Sequence, residues 1–245
     1  MLDNLRTAGF DILELHHAAA ILEHDMPQAL ADLETVLLEL EIPVEELVSG
    51  GGGEAPSTQR KRRRLNELGW KKSNVTVRKL VGFDEDEIET QSLSHEIDHV
   101  KQFGDWVFAL EIEWNNKDPF FDRDLENFKR LHAEGAISVG GIITRGQSLQ
   151  ENLRSLLLQF ADRDEVVGFG DLDKYNYTPT PRQRRNIEAR AERVGFRQAW
   201  VELFVQDKFG EATTHWRKLK DRVDRGVGNP CPLLLIGISS TVVKV

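Results

Sequence analysis

Two acidic residues on an otherwise apolar strand constrain this sequence more than any other feature. Residues 106–114 read Trp-Val-Phe-Ala-Leu-Glu-Ile-Glu-Trp. Because side chains alternate between the two faces of a β-strand, Glu111 and Glu113 share one face with Ala109, and the large apolar side chains lie on the other. Buried carboxylates that lack a partner are costly. The pattern therefore predicts a core strand whose two glutamates meet a cation.

A Gly-Asp dipeptide at residues 104–105 predicts the partner of this strand. It separates two strand-like runs, which is typical of a two-residue type II′ β-hairpin. Pairing Phe103 with Trp106 then puts Asp98 opposite Glu111, with Cβ atoms about 5 Å apart. Two unit charges at that distance repel by roughly 3 kcal/mol at an effective dielectric of about 20, which favours proton uptake or a divalent ion. Oxygen ligands without thiolates favour Mg²⁺.

Composition limits the class of protein. The chain has 245 residues, of which 40% are hydrophobic and 30% charged, enough to bury one sizeable core. Its one cysteine, Cys231, excludes an internal disulfide framework and a thiolate metal cluster, and is typical of the cytoplasm. The sequence has neither a long apolar run nor a signal-peptide pattern. We therefore expect a cytoplasmic protein that makes no membrane contact.

The net charge of −9 is unevenly distributed. Residues 1–48 contain eleven acidic residues and one arginine, which is −10, and the rest of the chain sums to +1. Four glycines at residues 50–53 are followed by the basic run 60–64. The predicted organisation is an acidic helical N-terminal subdomain (1–48), a Gly-rich linker (49–59) and a main domain (60–245). The basic run is either a solvated helix face or a contact for DNA phosphates.

Alternating strand and helix patterns predict the fold class. The strand pattern begins at Asn74, where Val75 and Val77 alternate, and further strands are expected at residues 97–102, 106–114, 136–144 and 233–238. Helices are expected from Asp122 or Asp124, from a capping box formed by Ser148 and Glu151, and from Thr180. This order indicates an α/β domain with a mixed central sheet flanked by helices.

Residues 95–99 allow a different interpretation. They read His-Glu-Ile-Asp-His, which is the H-E-x-x-H pattern of zinc metallopeptidases. On a helix, His95 and His99 would lie one turn apart, with Glu96 as general base. Gly104 interrupts such a helix, and none of the common third-ligand extensions follows. The zinc peptidase is therefore the less favoured alternative.

Several segments resemble one family of nucleases. HEIDH, LEIEWNNKDPFFDRDLENFKRLH, AISVGGIITRG and PCPLLLIGI are similar to the BglII family of type II restriction endonucleases, related to BamHI, within the PD-(D/E)XK nuclease superfamily. The resemblance covers roughly residues 60–245 and implies a restriction-endonuclease-like core. It implies that Asp98, Glu111 and the backbone carbonyl of Ile112 bind the metal. Glu113 stands where most of the superfamily has lysine, and would orient or deprotonate the attacking water. The implied catalytic set is Asp98, Glu111 and Glu113.

Polar residues next to the catalytic strand are candidates for DNA contact. Asparagine suits bidentate recognition of adenine, although an Asn-Asn pair also suits a plain turn. The resemblance favours the second asparagine of the pair. Residues near the same edge complete the candidate set: Asn115, Asn116, Lys117, Arg123, Thr144 and Arg145.

The resulting expectation is a Mg²⁺-dependent endonuclease that cuts double-stranded DNA at a short palindrome, which the resemblance suggests contains GATC. A palindrome is read by a two-fold symmetric protein, so we expect a homodimer. Mn²⁺ is expected to substitute for Mg²⁺, and Ca²⁺ to support binding without cleavage. A companion DNA methyltransferase would protect the host's own sites. The main alternative is a DNA-binding protein that has lost cleavage, and the intact acidic set argues against it.

Overall fold

The computed structural model describes residues 1–50, 53–83, 86–117 and 119–245. This part of the chain contains ten α-helices: α1 (Asp3–Thr7), α2 (Ala18–His24), α3 (Pro27–Leu38), α4 (Val44–Val48), α5 (Pro56–Glu67), α6 (Phe120–Ala133), α7 (Gln147–Arg163), α8 (Pro181–Val194), α9 (Phe196–Phe209) and α10 (Trp216–Asp224). It also contains eight strands: β1 (Asp11–Leu15), β2 (Ile42–Pro43), β3 (Lys71–Phe83), β4 (Asp86–Phe103), β5 (Trp106–Glu113), β6 (Val139–Arg145), β7 (Leu233–Ile238) and β8 (Val243–Lys244). Among these described helices, none combines the length and the apolar character needed to cross a membrane.

The strands form the mixed sheet that the sequence predicts. Six of them are ordered β1-β7-β6-β5-β4-β3. β5, β6 and β7 are parallel, whereas β1 is antiparallel to β7 and the β3-β4-β5 pairs are antiparallel. β2 and β8 pair separately as a short parallel ladder. The predicted fold class, α/β with a mixed central sheet flanked by helices, is confirmed.

The sheet separates two apolar clusters. Successive residues of β5 alternate between them, so that Phe108 and Leu110 belong to one cluster and Ala109 to the other. The first cluster contains side chains of α3, α5, α7 and α9. The second contains side chains of α6 and α10. Because Glu111 and Glu113 continue the face of Ala109, they lie on the α6 side of the sheet.

A glycine in β6 sets how closely α6 approaches the sheet. A Cβ atom added at Gly140 would lie 2.7 Å from ring atoms of Phe128, which is buried on α6. A larger residue here would push the helix away from the sheet. Gly140 therefore lets the first turns of α6, with Asp124, pack close to the end of β5.

The sequence correctly predicts the residue that caps the start of α8, but not the one that caps the start of α7. Thr180 caps α8 by accepting a hydrogen bond from a backbone N–H three residues later, at 3.3 Å. The capping box expected from Ser148 and Glu151 is wrong, because α7 begins at Gln147 with Gly146 as its N-cap. Ser148 lies inside the first turn of α7, where its hydroxyl cannot cap.

The acidic N-terminal segment contributes to the same sheet. β1 pairs with β7 along its full length. Asp32 of α3 is buried and accepts hydrogen bonds from Trp70 Nε1 at 2.9 Å and from Lys101 Nζ at 2.6 Å. These contacts join the first 48 residues to the β3–β4 region. The division of the chain into 1–48, 49–59 and 60–245 stays a prediction about independent units.

Candidate active site

The hairpin that carries the two glutamates has the predicted register. β4 and β5 pair with Phe103 opposite Trp106 and with His99 opposite Leu110. The turn consists of residues 104–105, and Gly104 has a φ of 60°, as the first position of a type II′ turn requires. The expected strand pairing is therefore confirmed from the turn to His99.

A β-bulge interrupts β4 next to Asp98. Val100 pairs with Lys71, whereas Ile97 pairs with Ser73, so two residues of β4 stand opposite one residue of β3. Ile97 and Val100 both pack on the α6 side of the sheet although three positions separate them. The simple alternation assumed for this strand is therefore broken at Asp98.

Asp98 meets Glu111 through its backbone. Its N–H donates a hydrogen bond to Glu111 Oε2 at 3.3 Å. Its carboxylate is half exposed and lies 4.0 Å from the Nζ of Lys72. The metal-binding role of Asp98 stays a prediction, and it requires the carboxylate to face the same space as that of Glu111.

Two side chains outside the predicted set converge on Glu111. Ligand atoms of His95, Glu111 and Asp124 all lie within 4.8 Å of one another. Glu111 is 4% exposed and Asp124 0%. The Nδ2 of Asn127 lies 2.8 Å from the Nε2 of His95 and so orients the imidazole. An imidazole and two carboxylates around one space are ligands that a divalent cation accepts.

Burial shifts the pKa of each of these groups. Loss of hydration raises the pKa of Glu111 to about 9, and the nearby charges of Asp124 and Asp98 add to this shift. Burial also raises the pKa of Asp124, although the adjacent Arg123 guanidinium opposes the shift. Burial lowers the pKa of His95 and favours the neutral imidazole. Without a cation the site therefore holds protons near neutral pH, and a bound cation would displace them.

Glu113 is contacted by several polar groups. Its Oε2 accepts a hydrogen bond from the Nδ2 of Asn116, and its Oε1 lies 3.6 Å from a terminal nitrogen of the half-exposed Arg123. Its backbone carbonyl accepts a hydrogen bond from Thr144 Oγ1 at 2.7 Å. Burial and then the charge of Asp124 raise the pKa of Glu113, and donation by Asn116 opposes this. These contacts hold the side chain of Glu113 in place, while the pKa of its carboxyl group stays raised.

Thr144 and Arg145, both predicted to contact DNA, are buried. Arg145 is 0% exposed, and its guanidinium donates to Thr213 Oγ1 at 2.6 Å and to the carbonyl of Thr214 at 2.7 Å. It also lies over the ring of Phe209, 5.0 Å from the centroid. Both residues therefore support the turn after β5 from beneath. Their direct contact with DNA stays a prediction.

The turn after β5 carries the other predicted DNA contacts. The backbone N–H of Asn116 donates to Thr214 Oγ1 at 3.0 Å, and its carbonyl accepts from the Thr214 N–H at 2.8 Å. Lys117 is exposed. Asn115 and Asn116 line an open cavity of about 760 Å³ together with Asp98. The turn is therefore pinned through its backbone, while its side chains border an open space.

The structure overturns the zinc-peptidase interpretation. Residues 95–99 lie within β4, not on a helix. The H-E-x-x-H pattern binds zinc because one helical turn puts both histidines on the same side. A strand with a bulge cannot supply that arrangement. His95 instead joins Glu111 and Asp124.

Helical spacing is the signal that would have identified Asp124. Leu125, Phe128 and Leu131 are buried on α6. Asp124 has the spacing of this apolar stripe, so it too should point inward. A carboxylate on the apolar stripe of a helix is the counterpart of the two glutamates on the apolar strand. From the sequence, Asp124 is expected only as a start of the helix, whereas α6 begins at Phe120.

Comparison with known protein families agrees with this geometry. The sequence matches the restriction endonuclease BglII/BglIII family over residues 10–238. The chain belongs to this family. The matched region includes all six strands of the central sheet, from β1 to β7. A search of the curated proteins finds no match.

Membership of this family implies a nuclease, a hydrolase that binds DNA. Restriction endonucleases generally use a divalent metal ion. The residues present fit such an ion, because Glu111 and Asp124 are buried carboxylates whose ligand atoms lie near the nitrogen of His95. The charge of a divalent cation would compensate two buried carboxylates that otherwise repel each other.

Proposed function

We propose that this protein is a type II restriction endonuclease that hydrolyses double-stranded DNA at a short palindromic site with Mg²⁺. The observation that carries the proposal is the convergence of Glu111, Asp124 and His95 beside the β4–β5 hairpin. Buried carboxyl groups destabilise a fold unless something compensates their charge, and strongly raised pKa values are typical of functional sites. Such a cluster therefore favours the binding of a cation. Membership of the restriction endonuclease family indicates that the substrate is DNA.

The proposed metal ligands come from the hairpin and from the elements that pack on it. They are Asp98, Glu111, the backbone carbonyl of Ile112, Asp124 and His95. Asp98 joins this set when its carboxylate turns from Lys72 towards Glu111. A bound divalent ion stabilises the negative charge that develops on the scissile phosphate.

Glu113 is proposed to orient the attacking water and to accept its proton. A general base works best with a pKa near the working pH, and burial moves the pKa of Glu113 upwards in that direction. Arg123 and Asn116 contact the same carboxylate and favour its charged form. These contacts keep the carboxylate in one position.

DNA is proposed to approach from the open side of the turn after β5. Asn115, Asn116 and Lys117 are on this turn, and Arg123 is on the first turn of α6. Asparagine offers one donor and one acceptor to an adenine edge, whereas the cations contact phosphates. Thr144 and Arg145 act from beneath by holding β5 and the turn.

The proposed site is a short palindrome, and the resemblance to the BglII family suggests that it contains GATC. A homodimer would present two copies of the catalytic hairpin, one to each strand. Mn²⁺ is expected to substitute for Mg²⁺, and Ca²⁺ to support binding alone. The protein is proposed to work in the cytoplasm beside a DNA methyltransferase that protects the host's sites.

Digestion of a fully sequenced phage genome tests the proposal. In Mg²⁺ we expect discrete fragments whose mapped ends share one palindrome and one overhang. The same digestion with Glu111→Gln is the control for contaminating nucleases. Protein that shifts this DNA but never cuts it, in Mg²⁺ or Mn²⁺, would support the non-cleaving DNA-binding alternative.

A further inference from the structure

One side chain links the predicted DNA-reading turn to the predicted general base. Asn116 belongs to the turn after β5, and its Nδ2 donates a hydrogen bond to Oε2 of Glu113. Glu113 is 4% exposed, so the amide of Asn116 points towards a buried carboxylate. A base edge in the major groove would approach from the solvent side instead.

The backbone of Asn116 is held separately from its side chain. Two hydrogen bonds with Thr214, of 3.0 and 2.8 Å, fix the N–H and the carbonyl of Asn116. Thr214 is itself held through its carbonyl by the buried guanidinium of Arg145 at 2.7 Å. Because the backbone is fixed, Asn116 can turn towards a base only by rotation of its side chain. That rotation breaks its contact with Glu113.

We propose that Asn116 couples base recognition to cleavage. In the free protein its amide restrains Glu113, and on the correct base pair the amide leaves Glu113 for the base edge. Glu113 then becomes available to the attacking water. On a wrong base pair the amide finds no partner and stays on Glu113. Asn116 would therefore determine specificity in the cleavage step as well as in binding. The inference rests on the proposed nuclease function.

Asn116→Ala separates this role from simple base reading. Near-cognate duplexes, each with one base pair of the site changed, are carried on supercoiled plasmids so that a single nick is detected. Rates are measured in Mg²⁺ at saturating enzyme in a single turnover, and affinities are measured separately in Ca²⁺. Asn152→Ala is the control, because Asn152 is an exposed asparagine on α7 whose Nδ2 contacts Ser240 Oγ at 3.3 Å and not Glu113.

The coupling predicts that Asn116→Ala nicks near-cognate plasmids about tenfold faster than the wild type at saturation, as expected when a hydrogen bond to a charged group no longer restrains Glu113. Affinity for the cognate site in Ca²⁺ falls at the same time. Asn152→Ala leaves the near-cognate rate unchanged. If Asn116 only reads a base, the saturated near-cognate rate of Asn116→Ala equals or falls below that of the wild type, and the proposal is overturned.

Two further measurements keep the test decisive. If Asn116→Ala does not fold, Asn116→Ser keeps a polar side chain in the turn but shortens its reach towards Glu113, and the same rates decide. Cleavage of the cognate plasmid by the wild type is scored independently. A wild-type protein that cuts nothing refutes the nuclease function, whereas a cutting wild type with an unchanged near-cognate rate in Asn116→Ala refutes only the coupling.

Discussion

Two charged regions of this molecule are built in opposite ways. On α5, the basic run faces acidic partners: Arg60 lies 2.6 Å from Glu46, and Arg64 lies 3.0 Å from Glu39. The two arginine side chains are 43% and 39% exposed. Beside β5, Glu111 and Asp124 are almost completely buried, and Glu111 receives a backbone N–H rather than a cation.

The difference shows which charges need a ligand. Exposed ion pairs contribute little to stability, since water and salt screen them. The N-terminal segment therefore explains Arg60 and Arg64 of the basic run on α5 without any nucleic acid. Buried like charges repel strongly, and the repulsion is compensated only by protons or by a cation. The carboxylates beside β5 are the region where a bound ion changes the energetics.

The largest expected effect comes from removing one of the buried carboxylates. Glu111→Gln keeps the shape of the side chain but removes its charge, so cleavage in Mg²⁺ should fall by about 10³-fold or more. Binding to the cognate site in Ca²⁺, measured by gel shift, should persist. Glu126→Gln, a surface change on α6, is the control and should cut normally. Cleavage retained by Glu111→Gln would remove Glu111 from the metal site.

Asp124→Asn tests the candidate metal ligand that only the structure revealed. Loss of one anionic ligand should weaken binding of Mn²⁺ by about tenfold or more, which calorimetry or the electron paramagnetic resonance signal of Mn²⁺ measures. Asp122→Asn on the same helix is the matched control, because Asp122 pairs with Arg222 at 3.0 Å. Equal Mn²⁺ affinities in the two variants would exclude Asp124 as a ligand.

The pH dependence of stability sharpens the contrast between the regions. The folded-state pKa of Glu111 is about 9 against an ordinary value of 4.5, so between these values the folded protein keeps a proton that the unfolded chain releases. Stability without a cation therefore falls as pH rises through this range. In EDTA, we expect the Tm of the wild type to drop by about 5 °C more than that of Glu111→Gln between about pH 6 and pH 9.

Scanning calorimetry of the wild type and Glu111→Gln, with and without saturating Mn²⁺, measures this difference. Mn²⁺ should raise the Tm of the wild type most at the alkaline end, where the carboxylates are charged. Parallel pH profiles of the two proteins in EDTA would mean that Glu111 does not titrate in an unusual range.

The smallest effect is expected on α5. Arg60→Gln removes a partly exposed pair and should change the Tm by about 2 °C or less. The salt dependence of DNA affinity should not change either, since Glu46 already contacts this arginine. A salt slope reduced by about one unit would instead show that Arg60 contacts a phosphate.

Local patterns in the sequence were sufficient to predict the β4–β5 hairpin. A Gly-Asp turn and a period of two gave the pairing of Phe103 with Trp106 and of His99 with Leu110. The same patterns underestimated the preceding hairpin, where β3 and β4 extend over 13 and 18 residues. Beyond Val77, residues such as Arg78, Gln91 and Ser92 are exposed, so the alternation that marks a half-buried strand is missing from the outer part of this hairpin.

Contacts between distant segments decided what the local patterns left open. Arg145 is buried because Thr213, Thr214 and Phe209, more than 60 residues away in the chain, surround its guanidinium. A terminal arginine of a strand gives no local sign of this. The bulge at Asp98 likewise arises from pairing with β3 and not from the residues of β4 alone.

The sequence by itself determined the sheet class, the hairpin register and the position of two glutamates on one strand face, because each depends on spacing between near neighbours. Only the tertiary structure decided which candidate metal-binding side chains surround Glu111. Gly140 allows α6 to pack against the sheet, and this brings Asp124 next to His95 and Glu111. The position of a helix on a sheet depends on packing between residues that are distant in the chain. The hydrophobic period within a single segment does not predict that position.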